Sequence, residues 1–249
     1  MHFTPKVNAF VESCKEVLLP SIHPVGVIQN NTEDTFVKCA GSSLLLENDG
    51  NCLLITNAHV AEKLLNRDNG SSWVQTGDLR FDPEARLVFN DLSIDAAGFS
   101  VKKSEIEIIA AGARPWSADY RGNAQQVKSF PCVILYGFPG IFRVREGTTT
   151  EAQGILHGLN VSDVSASGQL ILKFDPDEFV TPMSKKKTAA YAKEPGGISG
   201  APVFGWNDAP SFVWIGTVVE LGSSLGILRV VPSKQIFDAY RREWPSPFR

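Results

Sequence analysis

From residue 25 onward, hydrophobic residues fall in short runs separated by polar turns, the pattern of β-strands. In the first half of the chain the runs cover residues 25–28, 35–39, 42–46, 51–56, 72–75, 86–89 and 96–101. In the second half they cover 132–140, 153–157, 168–174, 203–205, 213–219 and 226–231. Asp49-Gly50 is a hairpin signal, and the polar stretch 113–127 suits a connection between two units. Regular short strands of this kind predict an all-β fold of two barrels.

Helical periodicity is confined to short segments. Residues 6–18 carry apolar positions spaced for one helical face, and Pro20 would end that helix. Residues 61–65 predict a second short helix. A third follows Ser233, a candidate N-cap, with Ile236, Phe237 and Tyr240 on its buried side. We therefore expect one helix at each end of a β protein.

Composition excludes several functional classes. The chain has 249 residues, 43% of them hydrophobic, and a formal net charge of −3. This size and composition suit a globular protein with a substantial core. Acidic charge argues against nucleic acid as a partner, and no apolar run approaches the roughly 20 residues of a membrane span. The N-terminus has no signal-peptide pattern, so we expect a cytoplasmic protein with no membrane partner. The four cysteines lack zinc-site spacing, and we expect no metal and no cofactor.

One serine lies in a glycine-rich turn ahead of an apolar strand. Ser199 stands in EPGGISGAPVF, residues 194–204. Gly197 and Gly200 tolerate the backbone angles of a tight turn, and the N–H groups of Gly197 and Ser199 could converge into an oxyanion hole. The alternative is an ordinary turn between strands. All four histidines precede Ser199, which excludes the α/β-hydrolase order and leaves the order His, Asp, Ser open. His59, where an apolar strand meets a small-residue turn, is the candidate base, and His2, His23 and His157 are interpreted as packing or surface residues.

Several motifs together resemble the trypsin-like serine proteases. TNAHV at 56–60 looks like the family's histidine motif, and GISGAP at 197–202 looks like its serine motif. CAGSSL at 39–44 and GTVV at 216–219 resemble the strands before the histidine and beside the substrate pocket. The resemblance covers roughly residues 24–244. It implies two six-stranded antiparallel barrels, with the boundaries 1–23 for a helical segment, 24–120 for the first barrel and 121–249 for the second, together one peptidase domain.

The triad needs a carboxylate between His59 and Ser199. The family pattern is an aspartate followed by small and apolar residues in a buried strand. Asp95, followed by AAGFSV, fits it best. Asp91 stays open, although Asp95 would then occupy a position where an apolar residue is expected. The aspartate that does not belong to the triad would be a surface or turn carboxylate.

The chain departs from the digestive enzymes of this family. Val60 stands where the disulfide partner of Cys39 would be, and Ile198 replaces the aspartate that pairs with a newly cleaved N-terminus. The resemblance is therefore to bacterial and Deg-type members, here without a PDZ domain. Lys193, Val219 and Glu220 would line the substrate pocket by the same resemblance. Lys193 could favour an acidic residue or point to solvent.

These observations predict a serine endopeptidase with the triad His59, Asp95 and Ser199. It would hydrolyse protein or peptide substrates through an acyl-enzyme and could have an activating or regulatory protein partner. The alternative is a partner-gated or catalytically silent binding module that keeps the protease fold, since fold alone does not imply function.

Overall fold

A computed structural model of the protein describes residues 5–30, 35–66, 73–122, 126–130, 132–140, 143–146, 149–174, 196–206, 211–222 and 226–244. These residues form a mostly β structure with short helices. The α-helices are α1 (Pro5–Leu18), α2 (Ala58–Leu65), α3 (Pro83–Arg86), α4 (Ile106–Ile109) and α5 (Ser233–Glu243). Short 3₁₀ turns occupy Leu19–Ser21, Lys103–Glu105, Ala118–Tyr120 and Val127–Ser129.

The first half of the chain forms one eight-stranded sheet. Its strands are β1 (Ile22–Asn30), β2 (Thr35–Asn48), β3 (Asn51–Thr56), β4 (Val74–Thr76), β5 (Leu79–Phe81), β6 (Leu87–Asp91), β7 (Ala96–Val101) and β8 (Trp116–Ser117). They run in the order β5-β4-β1-β2-β3-β7-β6, with β8 paired to β2. Within the described residues this sheet runs from one edge strand to another as a half-barrel.

The second half forms a closed six-stranded barrel. The strands of this half are β9 (Cys132–Gly137), β10 (Arg143–Glu146), β11 (Thr149–Ala152), β12 (Ile155–Val164), β13 (Leu170–Lys173), β14 (Pro202–Trp206), β15 (Phe212–Gly222) and β16 (Ile227–Pro232). The barrel order is β12-β13-β16-β15-β14-β9, and β10 pairs with β11 apart from it. Each pair in the barrel is antiparallel.

Three hydrophobic clusters hold these layers together. One fills the first sheet and one fills the second barrel. The largest joins the two halves: Leu44 of β2 and Phe204 of β14 share it with Leu18 of α1 and Phe237 of α5. The terminal helices therefore pack where the two β units meet, because their apolar faces complete that shared core.

The predicted all-β arrangement with a helix at each end is confirmed, and several details differ. The two runs at 35–39 and 42–46 are one continuous strand, β2. Strands β5, β8, β10 and β11 and helices α3 and α4 were not predicted. The N-cap assignment at Ser233 was wrong: Pro232 is the N-cap, and the hydroxyl of Ser233 donates to the Gly122 carbonyl at 2.8 Å.

Candidate active site

His59 lies at the start of a helix that follows a buried strand. Strand β3 ends at Thr56 and helix α2 begins at Ala58, so the polypeptide changes direction at Asn57. The rest of the helix anchors this position, because Val60 and Leu64 are buried in the core of the first sheet. The His59 side chain is 37% exposed, so its imidazole is accessible to solvent while the helix that carries it is anchored in the core.

Asp95 holds His59 through two hydrogen bonds. Its Oδ2 lies 2.7 Å from Nδ1 of His59, and its Oδ1 accepts from the His59 backbone N–H at 2.9 Å. Asp95 adopts a left-handed backbone conformation, with φ +56°, at the end of the turn before β7. The amide of Asn57 donates to the Asp95 carbonyl at 2.9 Å and ties this turn to the start of α2. Both oxygens of the Asp95 carboxylate therefore bond to one histidine.

The pairing fixes the tautomer of the imidazole. An ionised carboxylate can only accept hydrogen bonds, so Nδ1 of His59 carries the hydrogen and Nε2 keeps its lone pair. Burial on its own would raise the pKa of the Asp95 carboxyl. The hydrogen bonds from the His59 side chain and backbone outweigh that effect, and the pKa lies below its usual range. Asp95 thus remains an anion beside the imidazole.

Asp91 sits at the other end of the same turn and has other partners. Its Oδ1 accepts from the backbone N–H and the hydroxyl of Ser93, at 2.9 Å and 2.5 Å. Its Oδ2 pairs with Arg242 of α5. Asp91 therefore organises the turn and links it to the C-terminal helix, while Asp95 contacts the histidine.

Ser199 lies in a turn whose shape depends on two glycines. Gly197 and Gly200 have φ of +95° and +84°, a region that side chains with a Cβ rarely adopt. Four consecutive carbonyl groups of the turn each accept one hydrogen bond. The pairs are Gly196 O with Gly140 N at 2.6 Å, Gly197 O with Ser42 Oγ at 3.0 Å, Ile198 O with Ala201 N at 2.9 Å, and Ser199 O with Ser42 N at 2.8 Å. The backbone of the turn is thus held at every residue.

The serine turn packs directly against the strands that lead to His59. Ser42 belongs to β2, and Thr56, three residues before His59, donates its hydroxyl hydrogen to the Ser42 carbonyl at 2.8 Å. A Cβ on Gly200 would lie 2.1 Å from the Ser42 carbonyl oxygen and 2.4 Å from Oγ1 of Thr56. This close approach brings the serine turn of the second barrel against the His59 side of the first sheet.

The N–H groups predicted for the oxyanion hole belong to Gly197 and Ser199. Within the described segments, neither the N–H of Gly197 nor that of Ser199 has a backbone acceptor. The intervening side chain, Ile198, is 3% exposed and belongs to the core of the second barrel. The turn is therefore anchored by an apolar side chain between the two N–H groups.

The three residues predicted to line the substrate pocket lie in different surroundings. Lys193 lies outside the described residues. Val219 is half-buried and packs on the core shared by the two β units. Glu220 pairs with Arg229 on the neighbouring strand β16. Strand β15 does run beside the serine turn, since the Gly200 N–H donates to the Val218 carbonyl at 3.0 Å.

The remaining histidines occupy other settings. His157 is fully buried in β12 and stacks on Phe174, with ring centroids 4.9 Å apart. His23 is 6% exposed in β1, and its Nε2 lies 3.2 Å from the Pro20 carbonyl. His2 lies outside the described residues.

Sequence reasoning assigned no role to two residues of the site. Asn57 and Ser42 stand inside the motifs that carry the family resemblance, but their partners, Asp95, Gly197 and Phe138, are distant in the chain. The only local signal was a small polar residue close to an apolar run.

Similarity to known proteins is found among solved structures. No protein-family model matches the chain, and no curated protein matches its sequence. Among solved structures, a serine endoprotease from Yersinia pestis is similar, with a TM-score of 0.52 and 13% identity over 97% of this chain and 69% of that one. The active form of the Rv3671c protease from M. tuberculosis has a TM-score of 0.48 and 17% identity, covering 98% and 92% of the two chains. A chain from a study of the Sesbania mosaic virus VPg protein has a TM-score of 0.49 and 13% identity over 88% of each.

The likeness to the Yersinia enzyme shows a chymotrypsin-like fold for this chain and confirms the predicted fold class. At such identity a likeness establishes fold, and function depends on the residues of the site.

No helix in the described segments is long and apolar enough to cross a membrane.

Proposed function

We propose that this protein is a serine endopeptidase with a triad of His59, Asp95 and Ser199. The observation that carries the proposal is the pair of hydrogen bonds that His59 donates to the Asp95 carboxylate, at 2.7 Å and 2.9 Å. It leaves Nε2 of His59 as the proton acceptor that a serine nucleophile requires. The neighbouring serine turn supplies the hydroxyl and the N–H groups of Gly197 and Ser199.

In the first half of the reaction, Oγ of Ser199 attacks the carbonyl carbon of the scissile peptide bond and Nε2 of His59 takes the hydroxyl proton. The oxygen of the tetrahedral intermediate carries a negative charge, which the N–H groups of Gly197 and Ser199 stabilise. The C–N bond then breaks as His59 returns the proton to the leaving amine. Asp95 stabilises the imidazolium that forms in between.

In the second half, water attacks the acyl-enzyme and His59 takes one of its protons. A second tetrahedral intermediate forms in the same oxyanion site. It collapses to a carboxylic acid product as His59 returns the proton to Oγ of Ser199. One peptide bond and one water molecule are consumed, and the enzyme is regenerated.

Among trypsin-like enzymes, the proposal favours the kind that needs no cleaved N-terminus, as in Deg-type members. Where the activated enzymes carry an aspartate that forms an ion pair, Ile198 is buried in the core of the second barrel. Apolar burial would then order the serine turn in place of a charge pair.

A fluorophosphonate probe tests the assignment, because it phosphonylates an activated serine. We expect the wild-type protein to be labelled and the Ser199→Ala variant to be unlabelled. Labelling that persists in Ser199→Ala would place the nucleophile elsewhere. A wild-type protein that is folded and stays unlabelled would support the alternative, a gated or silent module.

A further inference from the structure

Ser42 uses three of its polar groups to hold the two halves of the candidate site together. Its N–H donates to the Ser199 carbonyl, and its own carbonyl accepts from the Thr56 hydroxyl, both at 2.8 Å. Its hydroxyl donates to the Gly197 carbonyl and accepts from the Phe138 N–H, both at 3.0 Å. The residue is fully buried, so water does not compete for these bonds.

The hydroxyl of Ser42 acts on the middle of three consecutive peptide planes. In a trans peptide the C=O and the following N–H point in opposite directions, so holding the carbonyl aims the N–H. The bond from Gly140 to the Gly196 carbonyl aims the Gly197 N–H, and the bond from Ala201 to the Ile198 carbonyl aims the Ser199 N–H. The middle plane lies between these two and contains the Gly197 carbonyl, which accepts the hydrogen bond from the Ser42 hydroxyl.

A rotation of this middle plane would change the relative direction of the two N–H groups on either side. Gly197, with φ +95° and no Cβ, offers little steric resistance to such a rotation. Within the described segments, the other donors to the turn's carbonyls are backbone N–H groups. The Ser42 hydroxyl is the restraint on this turn that a side-chain substitution removes.

We propose that Ser42 is a positioning residue for the oxyanion site: its buried hydroxyl fixes the Gly197–Ile198 peptide plane and thereby aligns the N–H groups of Gly197 and Ser199. This inference rests on the proposed function, because it assigns Ser42 to the same reaction. Ser42 acts through the backbone of the serine turn, whose carbonyls its N–H and hydroxyl contact.

The neighbouring residue, Ser43, provides a matched control. It lies in the same strand, is 1% exposed, and its hydroxyl donates to a backbone carbonyl, that of His23, at 3.0 Å. Because successive side chains of a strand point to opposite faces, Ser43 is directed away from the serine turn. Ser42→Ala and Ser43→Ala each remove one buried hydroxyl, and we expect similar losses in Tm.

The experiment compares wild type, Ser42→Ala and Ser43→Ala by labelling rate, peptide hydrolysis and amide hydrogen exchange. Because loss of a whole oxyanion donor costs about 10²- to 10³-fold in kcat, misalignment in Ser42→Ala should lower kcat and the labelling rate by about 10- to 100-fold. KM should change little, since the interaction acts in the transition state. Amide exchange in segment 196–201 should rise in Ser42→Ala and remain at the wild-type level in Ser43→Ala.

Two results would overturn the proposal. One is an equal effect of the two variants on kcat when both are folded. The other is unchanged exchange in segment 196–201 of Ser42→Ala. If the wild-type protein is not labelled, the proposed function fails, but hydrogen exchange still decides whether Ser42 restrains the turn.

Ser42→Cys takes the place of Ser42→Ala if the alanine variant does not fold. The thiol occupies similar space and is a weak hydrogen-bond donor, so the same changes are expected at smaller size. A Ser42→Cys protein with wild-type kcat and exchange would also contradict the proposal.

Discussion

The two halves of the candidate site are built by different means. On the first sheet, side-chain groups do the positioning: the Asp95 carboxylate holds His59, and the Asn57 amide holds the Asp95 carbonyl. On the second barrel, backbone conformation does most of it, through the positive φ of Gly197 and Gly200 and a row of bonded carbonyls, one of which the Ser42 hydroxyl holds. A change of charge should therefore damage the first half, and a change of backbone freedom should damage the second.

The largest effect is expected from Asp95→Asn. An amide at this position can donate a hydrogen bond to Nδ1 of His59 and so favours the tautomer that lacks a proton acceptor at Nε2. We expect kcat to fall by about 10⁴-fold, the loss that this change produces in a Ser-His-Asp triad. Peptide hydrolysis under saturating substrate measures it, with a thermal melt to show that the variant is folded.

Asp91→Asn is the matched control for that prediction. An asparagine can still accept from Ser93 and keep the turn, while its pairing with Arg242 loses the charge. We expect activity close to wild type. A greater loss of kcat in Asp91→Asn than in Asp95→Asn would reverse the assignment of the carboxylate.

The second-largest effect is a loss of stability, expected from a substitution in the serine turn. In Gly200→Ala the new Cβ would lie 2.1 Å from the Ser42 carbonyl oxygen, and the residue would keep a φ of +84°. Left-handed strain and overpacking together should lower the free energy of unfolding by about 2–5 kcal/mol. Urea denaturation gives this difference directly.

Gly196→Ala serves as the control within the same turn. A Cβ on Gly196 meets nothing within 4 Å. We expect the free energy of unfolding to change by less than about 0.5 kcal/mol, as at an ordinary exposed position. Equal destabilisation by both substitutions would mean that the turn responds to any loss of glycine and not to the contact with Ser42.

The fold was largely predictable because strand periodicity is local. Strand β3 and strand β7 were predicted with the bounds that the structure has, 51–56 and 96–101. Short elements such as β5 and α3 were missed, since three or four residues carry too little pattern and depend on tertiary packing. The merging of two predicted strands into β2 reflects pairing with both β1 and β3, which sustains one long strand.

The site was predictable to the extent that its chemistry stands in short motifs. His59 and Ser199 could be selected from neighbouring residues and their order in the chain. Which of Asp91 and Asp95 contacts the histidine depends on the shape of the turn between them, in which Asp95 has a φ of +56°. The interaction of Ser42 with Gly197 joins residues 155 positions apart, and no local pattern encodes such a contact.

The smallest of the three effects concerns acid pH, which acts on the same half as His59. His23, in β1, is 6% exposed, and burial lowers its pKa to about 4, against an opposing hydrogen bond to the Pro20 carbonyl. Below an ordinary pKa of about 6.5, the unfolded chain binds a proton that the folded chain does not. The free energy of unfolding should therefore decrease as pH falls from about 6.5 to about 4, by at most roughly 3 kcal/mol.

His23→Gln tests whether this one histidine causes the loss of stability. Glutamine retains an N–H donor for the Pro20 carbonyl and does not titrate. Urea denaturation at pH 7.5 and 4.5 should show a smaller decrease for His23→Gln than for wild type, by about 2–3 kcal/mol. An equal decrease in both proteins would mean that other groups cause the acid sensitivity.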